Sequence, residues 1–208
     1  VFGSDDDKEA AYKIEKKLPK KEAAIMKKLG KDAASHHIAT TKSTKEKATA
    51  VTTNLVGDTS FVLDGKTFVV KNKKKSDDKG NKACGDLVDS LRKGNKLWLT
   101  KMSKYDGNLT EIPKDKIVLQ EVADQIDNAL TYLETKGIVH RDVKPENILY
   151  KTTEGGTEFA LADFGVAIFA RDNETTAGTA NFQTEALLDS WPPENGGVKS
   201  THKSDLFA

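Results

Sequence analysis

One stretch limits this chain more than any other. Ile138-Val139-His140-Arg141-Asp142-Val143-Lys144-Pro145-Glu146-Asn147-Ile148-Leu149 sets a dense polar group between short apolar ends, and Asp163-Phe164-Gly165 follows sixteen residues beyond Asn147. The region reads as short strands and loops rather than as one long element. Taken singly, each residue has a plain role: His140 as a core histidine, Asp142 as a turn residue. Together they put two carboxylates, an amide and a lysine within a short span.

Just before this stretch lies the best helix pattern in the chain, Asp115 through Lys136. Apolar residues recur there at 119, 122, 126, 130 and 133, which places them on one face. Asp115 is suited to cap the start and Gly137 to close the end. Upstream, Leu97-Trp98-Leu99-Thr100 is a strand pattern after the Gly94-Asn95 turn. Residues 1–38 hold a short strand at Tyr12-Lys13-Ile14 and a helix over Lys21–Gly30, with Ile25, Met26 and Leu29 on one face and Pro19 near its start.

Residues 39–96 are more polar. Phe61-Val62-Leu63 and Thr67-Phe68-Val69-Val70 flank Asp64-Gly65, a strong hairpin signal. Thr41–Lys47 and Lys71–Lys82 read as solvated loops. The Lys71–Lys75 run stands beside Asp77 and Asp78, so it reads as a charged loop rather than a nucleic-acid signal. No internal repeat is visible.

Composition narrows the class. Lys and Arg total 33 against 32 Asp and Glu, a net charge of +1. This balance excludes a strongly basic nucleic-acid tail and a strongly acidic solvating chain. Cys84 is the single cysteine, so there is no internal disulfide, no zinc-ligand spacing, and a reducing compartment is expected. No apolar run reaches the ~18–20 residues that span a bilayer, so no membrane partner is expected. The first residues lack the basic-then-apolar order of a signal peptide.

Transfer of a phosphoryl group from a nucleotide asks little covalent chemistry of a protein. It needs a carboxylate to accept the hydroxyl proton, oxygen ligands for a divalent cation, and cations over the phosphates. Asp142, Asn147, Asp163 and Lys144 supply these types. His-Arg-Asp-x-Lys-Pro-x-Asn followed by Asp-Phe-Gly closely resembles the catalytic loop and metal-binding segment of eukaryotic-type serine/threonine protein kinases.

That resemblance implies an α+β fold of two lobes. Residues 1–109 correspond to part of a small β-rich lobe with a polar insert at about 39–96. Residues 110–208 correspond to part of a mainly helical lobe with the catalytic and activation loops. The implied activity is ATP- and Mg²⁺-dependent transfer of the γ-phosphate to Ser/Thr hydroxyls of a protein substrate. The alternative is a pseudokinase acting as a nucleotide- or protein-binding scaffold. Asp142 resembles the catalytic base and Lys144 the lysine that steadies the γ-phosphate; Lys144 also favours a Ser/Thr acceptor. Asn147 and Asp163 resemble the metal ligands, and Leu149 the floor beneath the adenine. Asp205 would hydrogen-bond the catalytic-loop backbone.

Toward the start, Ala11-Tyr12-Lys13 resembles the strand that presents the ATP-binding lysine, with Glu22 as the partner of Lys13. Val1 would lie over the adenine. Met102-Ser103-Lys104 would present backbone groups to the adenine edge, with Lys101 near the position that gates the pocket behind it. Toward the end, Gly178-Thr179-Ala180-Asn181-Phe182 resembles the substrate-receiving segment, with Thr179 bridging Asp142 and Lys144. Thr184-Glu185-Ala186 departs from the family's Ala-Pro-Glu.

Arg141 beside Asp142 implies control by phosphorylation at Thr175 or the adjacent Thr176, since a phosphothreonine would offset the arginine charge. An upstream kinase or autophosphorylation would supply that phosphate. No Gly-x-Gly-x-x-Gly occurs in the chain, and the resemblance reads as part of a longer kinase. A cytoplasmic location, or a nuclear one, fits these readings; nucleic acid is not an expected partner.

Overall fold

The computed structural model describes residues 10–18, 20–55, 58–70, 78–113, 117–172 and 201–207. The chain forms two compact units. The first joins Val1–Leu18 with Thr41–Lys104, the second Pro19–Thr40 with Tyr105–Ala208. Each has its own apolar core. The sequence implied a single break after residue 109, whereas the compact units alternate along the chain.

In the first unit, β1 (Ala10–Glu15) pairs antiparallel with β6 (Lys96–Ser103), and β6 pairs with β2 (Thr41–Lys47). A second antiparallel sheet holds β3 (Thr49–Thr53), β4 (Thr59–Leu63) and β5 (Lys66–Val70). Asp64 and Gly65 join β4 to β5 with φ of 51° and 70°. Left-handed backbone at both central positions matches the right-handed twist of a two-residue hairpin. Along β1, Ala10, Tyr12 and Ile14 are buried while Ala11, Lys13 and Glu15 turn outward. The buried set packs with Leu97 and Leu99 of β6, Phe61 and Phe68 of the hairpin, and Leu87 and Leu91 of helix α2 (Asp78–Arg92). Phe61 stacks on Phe68 and Tyr12 meets Phe68 edge-on, both with ring centres 5.7 Å apart.

Residues 39–96 are therefore not a hairpin set among loops. Thr41–Lys47 is a strand, and α2 covers part of the stretch read as Lys71–Lys82 loop. Both lacked a clear apolar period. β2 alternates only between half-buried and exposed polar residues, so in-register pairing with β6 makes it a strand. In α2, Leu87 and Leu91 supply an i, i+4 apolar pair, but Gly80 and Gly85 weaken the local helix signal. Lys71–Lys75 lies outside the described residues.

The second unit is built around α3 (Leu119–Thr135), whose Val122, Ile126, Ala129, Leu130 and Leu133 are buried. The helix starts after Val118, which makes no side-chain cap bond; Asp115 lies outside the described residues. Gly137 follows its end with φ 64°, as a left-handed helix stop requires. A three-stranded antiparallel sheet of order β10–β9–β7 joins β7 (Gly107–Asn108), β9 (Ile148–Thr153) and β10 (Gly156–Leu161). β8 (Ile138–Val139) pairs with β11 (Ile168–Phe169). Helix α4 (His202–Phe207) follows.

Helix α1 (Lys20–Leu29) and the 3₁₀ helix Lys31–His36 belong to this second unit. Ile25, Leu29, Ala33 and Ile38 enter its core. Tyr132 of α3 donates its hydroxyl to the Leu29 carbonyl at 2.7 Å, and His36 stacks on the Tyr132 ring at 4.2 Å. These buried contacts explain why 19–40 departs from the strands on either side of it in sequence. On the outer edge of β10, the Gln125 amide accepts from Phe159 N at 2.7 Å and donates to the Thr157 carbonyl at 3.1 Å. A helix side chain thus does for two backbone groups what a neighbouring strand would do.

Candidate active site

β8 ends at Val139 and β9 begins at Ile148, so the polar stretch forms the loop between two short strands. Its backbone is pinned from below. Asp205 of α4 is 4% exposed and accepts from His140 N at 2.7 Å and Arg141 N at 2.8 Å. The expected contact between Asp205 and this loop is thus met by two bonds. Burial raises the Asp205 carboxyl above the usual carboxylate range, against the lowering effect of His140 and of the two N–H donors.

His140 is fully buried. Burial lowers its pKa, against the pull of Asp205 and smaller contributions from the Ala162 carbonyl, Asp142 and Asp163. A neutral ring fits its partners. Nδ1 lies 3.3 Å from Asp142 N–H and accepts, so Nε2 carries the proton and donates to the Ala162 carbonyl at 3.0 Å. The ring also meets Phe164 edge-on at 4.8 Å. His140 thereby ties the loop to the segment holding Asp163.

Asp142 is the centre of the cluster. Its Oδ2 receives Lys144 Nζ at 2.8 Å and Asn147 Nδ2 at 2.9 Å. The same Asn147 nitrogen donates to the Asp142 carbonyl at 2.8 Å. With Nδ2 so used, the amide oxygen is the acceptor that the Asn147 side chain offers. A 3₁₀ turn over Pro145–Asn147 makes this possible, since Asn147 N reaches the Lys144 carbonyl at 2.9 Å. Asn147 O in turn accepts from Ala162 N at 2.8 Å. The loop and the segment before Asp163 are therefore joined by backbone as well as by His140.

Asp163 is exposed, and its Oδ1 accepts from Gly165 N at 3.2 Å. Arg141 and Asp163 both carry left-handed backbone, with φ of 70° and 63°. Such conformations cost about 1–3 kcal/mol each and persist where surrounding bonds over-determine them. Arg141 is held at N by Asp205 and at Nε by the Val166 carbonyl at 2.7 Å.

Leu149 sits on β9, half-buried, opposite Ala160 on one side and Asn108 on the other. The Asn108 turn was not read from the sequence. Asn108 Oδ1 accepts from Thr110 N at 3.0 Å and Thr110 Oγ1 at 2.6 Å, and Glu111 Oε2 accepts from Asn108 N at 3.0 Å. Asn-x-Thr is the local signal for such a turn. It fixes β7 against β9 next to Leu149.

In the first unit, register decides the placement of the remaining residues. Ala11 stands opposite Met102, and Lys13 opposite Thr100. Lys13 Nζ lies 3.1 Å from Glu15 Oε1, and Glu22 belongs to the second unit. Lys101 stands opposite Tyr12 with Nζ 5.8 Å over its ring. β6 ends at Ser103, and the division between the units falls between Lys104 and Tyr105. Val1, Thr175, Thr176, Gly178–Phe182 with Thr179, and Thr184–Ala186 lie outside the described residues. No described helix is long and apolar enough to cross a membrane.

A family model described as the protein kinase domain matches residues 26–208. Among curated proteins, the chain is 32% identical over 113 residues to a calcium/calmodulin-dependent protein kinase, cmkB, of Emericella nidulans, covering 50% of this chain and 28% of that one. It is 40% identical over 66 residues to a calcium/calmodulin-dependent protein kinase type I of Schizosaccharomyces pombe, covering 29% and 20%. It is 36% identical over 87 residues to MAP kinase-activated protein kinase 2 of Drosophila melanogaster, covering 42% and 23%. The matched segments thus span between 20% and 28% of these relatives.

Proposed function

The chain belongs to the protein kinase family, and from that premise we propose that the protein carrying it transfers the γ-phosphate of ATP to Ser or Thr hydroxyls of proteins. The observation that carries this reading is the Asp142 carboxylate, oriented by Lys144 at 2.8 Å and Asn147 at 2.9 Å on a loop whose backbone Asp205 pins. Asp142 accepts the hydroxyl proton as the substrate oxygen bonds to the γ-phosphorus and the bond to ADP breaks. Lys144, beside that carboxylate, carries the positive charge that offsets the transferring group.

Asn147 and Asp163 fit a magnesium site by donor chemistry. An amide oxygen and an exposed carboxylate are hard ligands of the kind Mg²⁺ prefers. Bound with ATP, Mg²⁺ neutralises charge on the phosphates. The family resemblance assigns Ala11, Met102, Lys104, Leu149 and Val1 to adenine binding, and Lys13 and Glu22 to the phosphates. Thr179 orients the acceptor with Asp142 and Lys144. Phosphorylation of Thr175 or Thr176, by another kinase or by autophosphorylation, offsets the charge of Arg141 and orders the activation loop.

The test is phosphate transfer from ATP with Mg²⁺ to a generic basic protein, using the protein that carries this chain. Asp142→Asn is expected to lower turnover by about 10²–10⁴-fold, and Asp163→Asn to abolish it. No transfer by folded, Thr175-phosphorylated protein would contradict the proposal and leave the scaffold reading in its place.

A further inference from the structure

Charge is divided unevenly between the two units. The first holds 19 basic and 12 acidic residues, a net of +7, and the second holds 14 and 20, a net of −6. The balance of the whole chain conceals this division. Part of the positive excess is concentrated on β2 and the strand beside it. β2 reads Thr-Lys-Ser-Thr-Lys-Glu-Lys, with Lys42, Lys45 and Lys47 exposed. Lys42 stands directly opposite Lys101, and Lys47 directly opposite Lys96.

Like charges facing each other across an antiparallel pair are destabilising. Lys101 lies 5.8 Å over the Tyr12 ring. Among the described residues, no carboxylate lies within ion-pair distance of Lys42, Lys45, Lys47, Lys96 or Lys101. Lys45 lies 5.8 Å over the Trp98 ring instead. Glu46 is the single acid on the strand, and it faces Leu97.

β2 is also an edge. The sheet order is β1–β6–β2, and the outer side of β2 has no strand partner among the described residues. Edge strands are commonly blunted by brevity, proline, a bulge or lysines. β2 has seven residues, no proline, and continuous register with β6 from Thr41 to Lys47. Among the described residues, its lysines are what protects it. They repel a second copy of the same strand, but they attract a strand of opposite charge.

We propose that the open edge of β2 accepts an extended acidic segment of a partner protein as an added strand, with Lys45, Lys47 and Lys96 on one face of the sheet and Lys42 and Lys101 on the other selecting it by charge. Main-chain hydrogen bonds to β2 supply the affinity, and the lysines supply the choice of partner. The site is independent of Asp142 and does not rest on phosphoryl transfer.

The test uses the protein carrying this chain and a fluorescent ten-residue peptide of alternating Glu and Val, read by anisotropy. Three comparisons accompany it: the same peptide N-methylated at alternate residues, the Lys-for-Glu peptide, and a single-stranded oligonucleotide of equal charge. The acidic peptide is expected to bind, to weaken as salt rises, and to lose about tenfold in affinity with K42E/K45E/K47E. K42Q/K45Q/K47Q, whose exposed amides leave the strand intact, is expected to fall between. N-methylation is expected to abolish binding, because it removes donors that pair with the edge. Binding indifferent to N-methylation would overturn the added strand, and equal or tighter binding of the oligonucleotide would overturn the acidic polypeptide. Unchanged affinity in both triple variants, with melting temperatures equal to the parent, would also overturn the proposal.

Discussion

The loop that carries Asp142 and the strand that carries Lys13 face the same problem by different means. The loop between β8 and β9 has almost no regular structure, so each polar atom is placed by a specific bond: Asp205 to two backbone N–H groups, Asn147 to Asp142, His140 to Ala162. On β1, Ala11 and Lys13 are placed by register with Met102 and Thr100, and the apolar face beneath them does the fixing. One region is held by buried polar bonds and the other by packing. The first depends on individual side chains, and the second on the total apolar area removed from water.

This difference predicts how each region breaks. Phe61 is fully buried and stacks on Phe68. Phe61→Ala is expected to destabilise the first unit by about 3–5 kcal/mol, measured by denaturant unfolding followed through amide exchange at Leu97 and Leu99. Amide exchange at His140 and Arg141 should remain slow in that variant under native conditions. Faster exchange there would show that the two regions are not held separately.

Asp205→Ala acts at the opposite pole. It leaves two buried N–H groups without an acceptor, at a cost of about 2–4 kcal/mol. Amide exchange at His140 and Arg141 should quicken, and turnover should fall although Asp142 is untouched. Turnover equal to the parent would show that the loop keeps its shape without this anchor.

The smallest effect is one of pH. Burial lowers the His140 pKa below the ordinary histidine value near 6.5. The unfolded chain therefore takes up this proton first as pH falls. The contribution of neutral His140 to stability is present above about pH 6.5 and is lost as pH falls through its lowered folded value. Asp205 runs the other way. Its raised folded pKa gives a contribution that is present below about pH 3.9 and is lost as pH rises through the folded value. His140→Phe is expected to flatten the loss of stability as pH falls below about 6.5. An unchanged slope would assign the acid sensitivity elsewhere.

The Asp142 cluster was legible because its residues are close in sequence and dictated by chemistry. Asp142, Lys144 and Asn147 lie within one turn-rich loop, and their mutual bonds are local. Asp205 lies more than sixty residues away, and family resemblance alone pointed to it. The hairpin at Asp64-Gly65 and the end of α3 at Gly137 were legible because left-handed backbone has few residues that accept it. β2 was not, because a polar edge strand shows no apolar period and is made by its neighbour β6. The allegiance of α1 was also hidden. Its apolar face gives a helix but does not say that Leu29 meets Tyr132 in the core of the second unit. Gln125 and Asn108 act through single side chains on distant or short elements, where periodicity carries no information.

The proposed mechanism divides labour, with Asp142 handling the proton and Asp163 with Asn147 holding the metal. Calorimetric titration of MgATP into the protein and its two variants tests this most directly. Asp142→Asn is expected to bind MgATP within about threefold of the parent while losing turnover, since proton transfer is not used in the ground state. Asp163→Asn is expected to lose the magnesium-dependent part of the affinity. Equal loss of MgATP binding in both variants would contradict the division, and intact magnesium-dependent binding in Asp163→Asn would remove that residue from the metal site.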